Sequence, residues 1–358
     1  MSWFSSEIGK NGVFFGILPP VEFFSTLWGR KEGPFPQKWG DFMHRIRYDV
    51  FRKYLKGLYH NLRWLVQNNG VYEMSYQIIT DSCCDFTQEQ LDTLQVTCAN
   101  LTVLYNGVNH SNFSEPAAVK AFYDELRKGV TATTAACNPD DWAQLMTAAL
   151  KEGRDVLAMA FSSGLSTTYQ SAVIAAADLR ETYPDRKIIV VDTLCAALGQ
   201  GLLVQYACKK RDEGMSIEDL AAWLEEHKGD VCHWVTVDDL SHLKRGGRIS
   251  ATTALVGTML NVKPIIRVDE EGHLINCAKV RGRKAAMEYL VKKFSETCTD
   301  FDTVFIAHGD CPEDAAALEA MVREKHPVKE GVTGYVGPVI GAHTGPGVLV
   351  LFFMGSKR

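Results

Sequence analysis

The chain reads as an α/β protein: a parallel or mixed sheet covered by helices, followed by a second, smaller α/β domain. Three observations carry this reading. From residue 76 onward, short apolar runs of strand length alternate with helical stretches, the rhythm of a sheet with helices on its faces. Helix-opening signals recur between them, namely Thr87 with Gln90, Ser114 before Pro116, Asn138 before Pro139, and Ser216. After residue 237 the rhythm changes, and a glycine-rich basic turn, Lys244-Arg245-Gly246-Gly247-Arg248, leads into a new series.

In order, residues 76–80 form a short buried strand that ends in Asp81-Ser82. Thr87 and Gln90 make a capping box for the next helix. Residues 101–105 and Val108 form a hairpin around Asn106-Gly107, the pair suited to a type I′ turn. One helix lies between Pro116 and Gly129, and another runs from Pro139 toward Leu150. The strand 156–161 breaks into Ser162-Ser163-Gly164-Leu165-Ser166-Thr167-Thr168 and a helix over 169–179. Strand 187–191, helix 199–211 and a helix capped by Ser216 complete a first domain at 74–234. The apolar run 231–237 spans the boundary to the second, at 235–358, whose basic turn precedes a helix. Strand 262–268, the segment Val280-Arg281-Gly282-Arg283-Lys284, and strands 303–307 and 348–353 around a helix near 314–325 follow.

Composition narrows the function. A formal net charge of −5 over 358 residues argues against a general nucleic-acid binder. The ten cysteines contain no C-x-x-C pair and no leader-like segment precedes them, so reduced thiols in the cytoplasm and no metal are expected. No apolar run approaches the roughly 18 residues of a membrane span. Residues 1–73 differ from the rest, with ten Lys/Arg against six Asp/Glu, 16 of the 36 aromatic residues and no cysteine. There Phe42, Met43, Ile46, Val50, Tyr54, Leu58, Leu62 and Leu65 fall at helical spacing among basic residues. Such a helix suits a transient membrane-surface or partner contact, but equally packing on its own protein. Met74 is also well placed as an initiator.

The turn 162–168 is the most informative segment. A buried strand that breaks into five hydroxyls at a helix N-terminus places donors where unpaired N–H groups and the macrodipole favour an anion. No Lys or Arg lies in the turn, which suits a carboxylate better than a triphosphate. Any one of these serines is as fit to cap the helix as to touch a ligand.

The ordered set Thr80-Asp81-Ser82, the hydroxyl turn, Gly246-Gly247-Arg248-Ile249-Ser250, Lys263-Pro264-Ile265, Val280-Arg281-Gly282-Arg283 and Gly341-Ala342-His343-Thr344-Gly345-Pro346-Gly347 resembles the DegV family. The resemblance implies a DegV-like fold with a ligand tunnel between two domains that encloses a long-chain fatty acid. It further implies a subunit of a fatty acid kinase system, in which an ATP-dependent partner kinase phosphorylates the carboxyl group to an acyl phosphate. On that resemblance Thr134, Ser163, Ser166 and His343 hold the carboxylate. Thr133, Asp81 and Ser82 support them, and Arg248 and Arg281 face the partner or its phosphate. No cofactor and no turnover of its own are implied.

The chain departs from the family pattern at Thr134-Ala135-Ala136-Cys137, which lacks one hydroxyl, at Thr167, where a glycine is usual, and at Asp192-Thr193. A ligand of about sixteen carbons that buries some fourteen methylenes would gain roughly 11 kcal/mol gross. An unpaired buried carboxylate would forfeit that gain, so several directed donors are required. The competing reading is an acyl ester hydrolase with Ser163 as nucleophile and His343 as base. It lacks the first glycine of G-x-S-x-G and an acid to orient the histidine. A nucleotide-binding kinase is weaker still, for want of a phosphate loop.

Overall fold

A computed structural model describes residues 76–238, 240–249, 261–356 and 358. The basic amphipathic stretch, Met74, Ser250 and the helix expected just after the basic turn lie outside these residues.

The first strand, β1 (Tyr76–Asp81), sits inside a four-stranded parallel sheet in the order β2-β1-β6-β7, with β2 at Thr97–Ala99, β6 at Asp155–Ala160 and β7 at Ile188–Asp192. The Thr87–Gln90 capping box forms as expected and opens α1 (Gln88–Leu94). Strands β3 (Thr102–Tyr105) and β4 (Val108–Ser111) form the expected hairpin, and Asn106 and Gly107 both take positive φ, 51° and 74°. A third short strand, β5 (Thr133–Ala135), pairs antiparallel with β3 and sets Thr134 opposite Val103. Thr134 therefore lies on a short strand.

Helix α2 (Pro116–Arg127) sets its Phe122 ring against Tyr105 of β3, while α3 (Pro139–Lys151) and α4 (Thr168–Thr182) pack on one face of the parallel sheet through Trp142, Met146 and Ala172. Helix α5 (Leu198–Asp212) packs on the opposite face through Leu202 and Leu203, against Ile78, Leu157 and Met159. Next comes α6 (Ile217–His227), with Ser216 accepting from the Asp219 N–H as its cap.

The remaining chain builds a six-stranded mixed sheet in the order β10-β9-β8-β13-β11-β12. Its strands are β8 (Val231–Thr236), β9 (Val262–Val268), β10 (Leu274–Arg281), β11 (Thr303–His308), β12 (Glu330–Tyr335) and β13 (Leu349–Met354). Only β11 and β12 run parallel among its pairs. The period-two alternation of side chains decides what each face meets. Cys232, Trp234, Ile265, Leu349, Leu351 and Phe353 face α8 (Arg283–Thr297) and α9 (Pro312–Lys325). Val235, Ile266, Val350 and Phe352 face the other way, into the core shared with α5 and the parallel sheet. Between them run two short helices, α7 (Ser241–Arg245) and α10 (Pro338–Thr344), which pack on one another.

Candidate functional site

The inward face of the six-stranded sheet does not close fully on its neighbours. A cavity of about 260 Å³ remains between it and the loops that follow β5, β6 and β7. Most of its wall is apolar, including Leu101, Phe161, Leu165, Ile266, Val268, Leu274, Val348, Val350 and Phe352. Thr134, Ser166, Thr167, His343, Thr344 and Arg248 supply polar groups.

Thr134 Oγ1 and His343 Nε2 lie 2.8 Å apart, so β5 and the last turn of α10 meet at this wall. Burial, reinforced by the nearby Arg248 guanidinium, pushes the His343 imidazole down to about 4, and the ring is neutral at pH 7. Its Nδ1 is buried without a hydrogen-bond partner. Arg248 is itself restrained. Its Nε donates to the Leu165 carbonyl at 3.1 Å and Nη1 donates to the Gly246 carbonyl at 2.6 Å. Among the described residues of the wall it is the one Lys or Arg.

The hydroxyl turn divides its labour. Ser162 is fully buried and points across to the β9–β10 hairpin, where Oγ donates to the Gly272 carbonyl at 2.9 Å. Ser166 Oγ accepts from the Thr168 N–H at 3.2 Å and lies 2.9 Å from Thr168 Oγ1, so this serine caps α4 while it lines the cavity. Thr167, where the family pattern has a glycine, has φ −82°, a backbone conformation open to any residue. Ser163 is exposed, its backbone N–H donates to Asp192 Oδ1 at 3.2 Å, and it is not part of the wall. With Ser162 turned inward, the next residue faces out. The structure therefore does not bring Ser163 to the cavity with Thr134, Ser166 and His343.

Asp81 and Ser82 bond backbone groups of neighbouring segments. Asp81 is fully buried and accepts from the Cys83 N–H at 3.0 Å and the Phe161 N–H at 2.6 Å, which locks the ends of β1 and β6 together just before the turn. Burial outweighs those hydrogen bonds and pushes its carboxyl up to about 6. Ser82 Oγ accepts from the Leu101 N–H at 3.0 Å and so holds a wall residue. Thr133 alternates with Thr134 on β5 and is exposed. Arg281 ends β10, exposed and away from the wall.

Sequence reading missed one notable residue, His233 on β8. It lines the cavity with 2 % of its surface exposed. The signal was present in the alternation Cys232, His233, Trp234, Val235, which puts His233 on the same face as Val235. A lone histidine in an apolar strand gave no reason to single it out.

The fold joins a parallel sheet to a mixed one over an apolar cavity whose described wall carries hydroxyls, two histidines and one arginine. The DegV family model matches residues 75–355, and the chain belongs to the DegV family. It is 42% identical over 286 residues to a DegV domain-containing protein of Clostridium perfringens, which covers 79% of this chain and 98% of that one. A DegV domain-containing protein of Lactococcus lactis is 35% identical, with 79% and 99% covered. Among solved structures, a DegV family protein from Thermus thermophilus, described by its fatty acid binding, superposes with a TM-score of 0.70 at 31% identity, covering 78% of this chain and 99% of that one. DegV of Bacillus subtilis, described as a fatty acid binding protein, gives 0.68 at 28% identity, with 79% and 100% covered.

Proposed function

We propose that this protein binds a long-chain fatty acid, with the acyl chain in the cavity and the carboxyl group at Thr134, Ser166, His343 and Arg248. It presents that group to a separate ATP-dependent kinase and performs no turnover of its own. One observation carries the reading: an apolar cavity whose wall includes a hydroxyl bonded to a neutral imidazole. Burial of methylenes supplies the affinity, at ~0.8 kcal/mol each. Directed hydroxyl and imidazole groups offset the desolvation of the acid head group. Arg248, already bonded to two carbonyls, supplies positive potential without a bidentate grip that would mask both oxygens. We also keep two domains after an extension at 1–73, with the boundary moved from 234/235 to just before β8, which lies wholly in the mixed sheet. The fatty-acid relatives from Thermus thermophilus and Bacillus subtilis support it.

The test is native mass spectrometry of the purified chain, followed by removal of lipid and titration with palmitic acid. Copurified fatty acid and saturable rebinding are expected, and a chain that neither carries nor rebinds acid ends the proposal. Formation of acyl phosphate only when a partner kinase and ATP are added tests the presentation step. The hydrolase reading loses its nucleophile, because Ser163 is exposed outside the wall and His343 Nε2 is bonded to Thr134.

A further inference from the structure

We propose that His233 and Phe352 form the stop against which the far end of the ligand rests, and that Gly199 fixes its position. This rests on the fatty-acid reading and names the residues that set how long an acyl chain the cavity accepts.

Register supplies the first argument. His233 and Phe352 are directly opposed on β8 and β13, and the next inward-facing pair is Val235 with Val350. Val348 continues β13 beyond that pair, away from Phe352, and His343 sits at the same end, against Gly246 in the segment that follows β8. At roughly 3.3 Å per residue, the His233–Phe352 row lies about 13 Å down the sheet from Val348. The carboxyl and the stop thus occupy opposite ends of one apolar face.

The second argument concerns what His233 can offer. Its Nε2 accepts from the Ala196 N–H at 3.1 Å, which requires the proton on Nδ1, and that nitrogen donates to the Val231 carbonyl at 2.9 Å. Neither nitrogen is left for a ligand. Burial and then the Arg358 guanidinium push the imidazole down to about 3, so no charge is left either. The ring meets Phe352 edge to face, with centroids 5.2 Å apart at 84°. His233 presents carbon to the cavity, as an oriented plug rather than a second polar anchor.

Gly199 supplies the third. A Cβ there would overlap His233 Nε2 and lie 2.7 Å from Phe352 Cδ1. Helix α5 is pressed against both rings, so neither can swing back to lengthen the cavity.

The experiment compares lauric, myristic, palmitic, stearic and arachidic acids by competition against a fluorescent fatty acid, in the delipidated wild type and in Phe352→Val and His233→Ala. Phe352→Val leaves the histidine's hydrogen bonds intact, and circular dichroism confirms its fold. The preferred acid is expected to lengthen by one member of the series. Its affinity relative to the wild type's preferred acid should rise roughly tenfold, as two further methylenes enter the cavity. A folded Phe352→Val with an unchanged length profile overturns the stop. In the wild type, palmitic acid labelled at its terminal methyl is expected to show NMR cross-peaks to the His233 and Phe352 rings, which requires no variant. Cross-peaks only to residues near His343 overturn the proposal even if both variants fail to fold. If the wild type binds none of the acids, it is the fatty-acid reading itself that has failed.

Discussion

Two histidines, His343 and His233, line the cavity, and the difference between them shows how one side chain serves two ends. Both are held neutral by burial, at about 4 and about 3. His233 spends both nitrogens on backbone, at Ala196 and Val231. His343 spends one on the Thr134 hydroxyl, a side-chain group that can rotate to another partner. Availability for chemistry is therefore set by what has already been satisfied, not by residue type or by pKa. Backbone partners fix a ring as structure. A hydroxyl partner leaves it negotiable.

The largest effect that would break this contrast is on stability. His233→Ala leaves a cavity and an unpaired Ala196 N–H, and about 3 kcal/mol or more should be lost in urea unfolding. His343→Ala should cost about 1 kcal/mol, because its lost partner is a half-buried hydroxyl. Equal losses would erase the distinction.

Acid sensitivity comes next. Both folded-state pKa values lie below the ordinary 6.5, so the folded chain binds fewer protons than the unfolded one as pH falls from 6.5. Each histidine therefore stabilises the fold fully above about pH 6.5. That contribution is lost on acidification through about 4 for His343 and about 3 for His233. Asp81, raised to about 6, acts in the opposite sense, since its neutral form is the one the fold favours. A difference measurement removes it from consideration. The stability of the wild type relative to His343→Gln should decline between pH 6.5 and 4, by up to ~2 kcal/mol after allowance for partial solvent screening. A pH-independent difference would show that the His343 ring titrates as it does in water.

Smaller effects sharpen the polar end. Thr134→Val keeps the shape of the strand residue and removes the hydroxyl, so fatty-acid affinity should fall roughly tenfold, with little change in melting temperature. Ser163→Ala should leave affinity within about twofold, the range of an exposed substitution. A large loss from Ser163→Ala in a titration would mean that the turn reorganises on binding.

Much of the parallel sheet was legible because its strands are continuous apolar runs and three of the helices open on strong side-chain caps, whereas α2, marked in the sequence by Ser114, starts after Glu115 with no side-chain cap. Thr87, Asn138 and Ser216 all bond as their positions imply. The edge strands of the mixed sheet were not legible. β12 carries two glycines and only part-buried or exposed side chains, and β10 is exposed at alternate positions, so neither gives the apolar signature that a buried strand must. Helix α8 went unread because its N-terminal flank is Gly282 at φ 90°, with no side-chain cap to mark it. At the site, the hydroxyl turn was visible as a motif, but not which hydroxyl points where. That depends on Ser162 reaching a carbonyl 110 residues away, a contact no local pattern encodes.

That reach has a further consequence. Gly164 and Gly272 meet backbone to backbone beside the Ser162 bond, and a methyl on Gly164 would lie 2.8 Å from the Gly272 carbonyl. The two sheets are thus sewn together at one seam, tight enough to exclude a single carbon atom. Gly164→Ala would prop that seam ajar beside the cavity, and the fatty acid proposed above would leave faster from a chain that still folds.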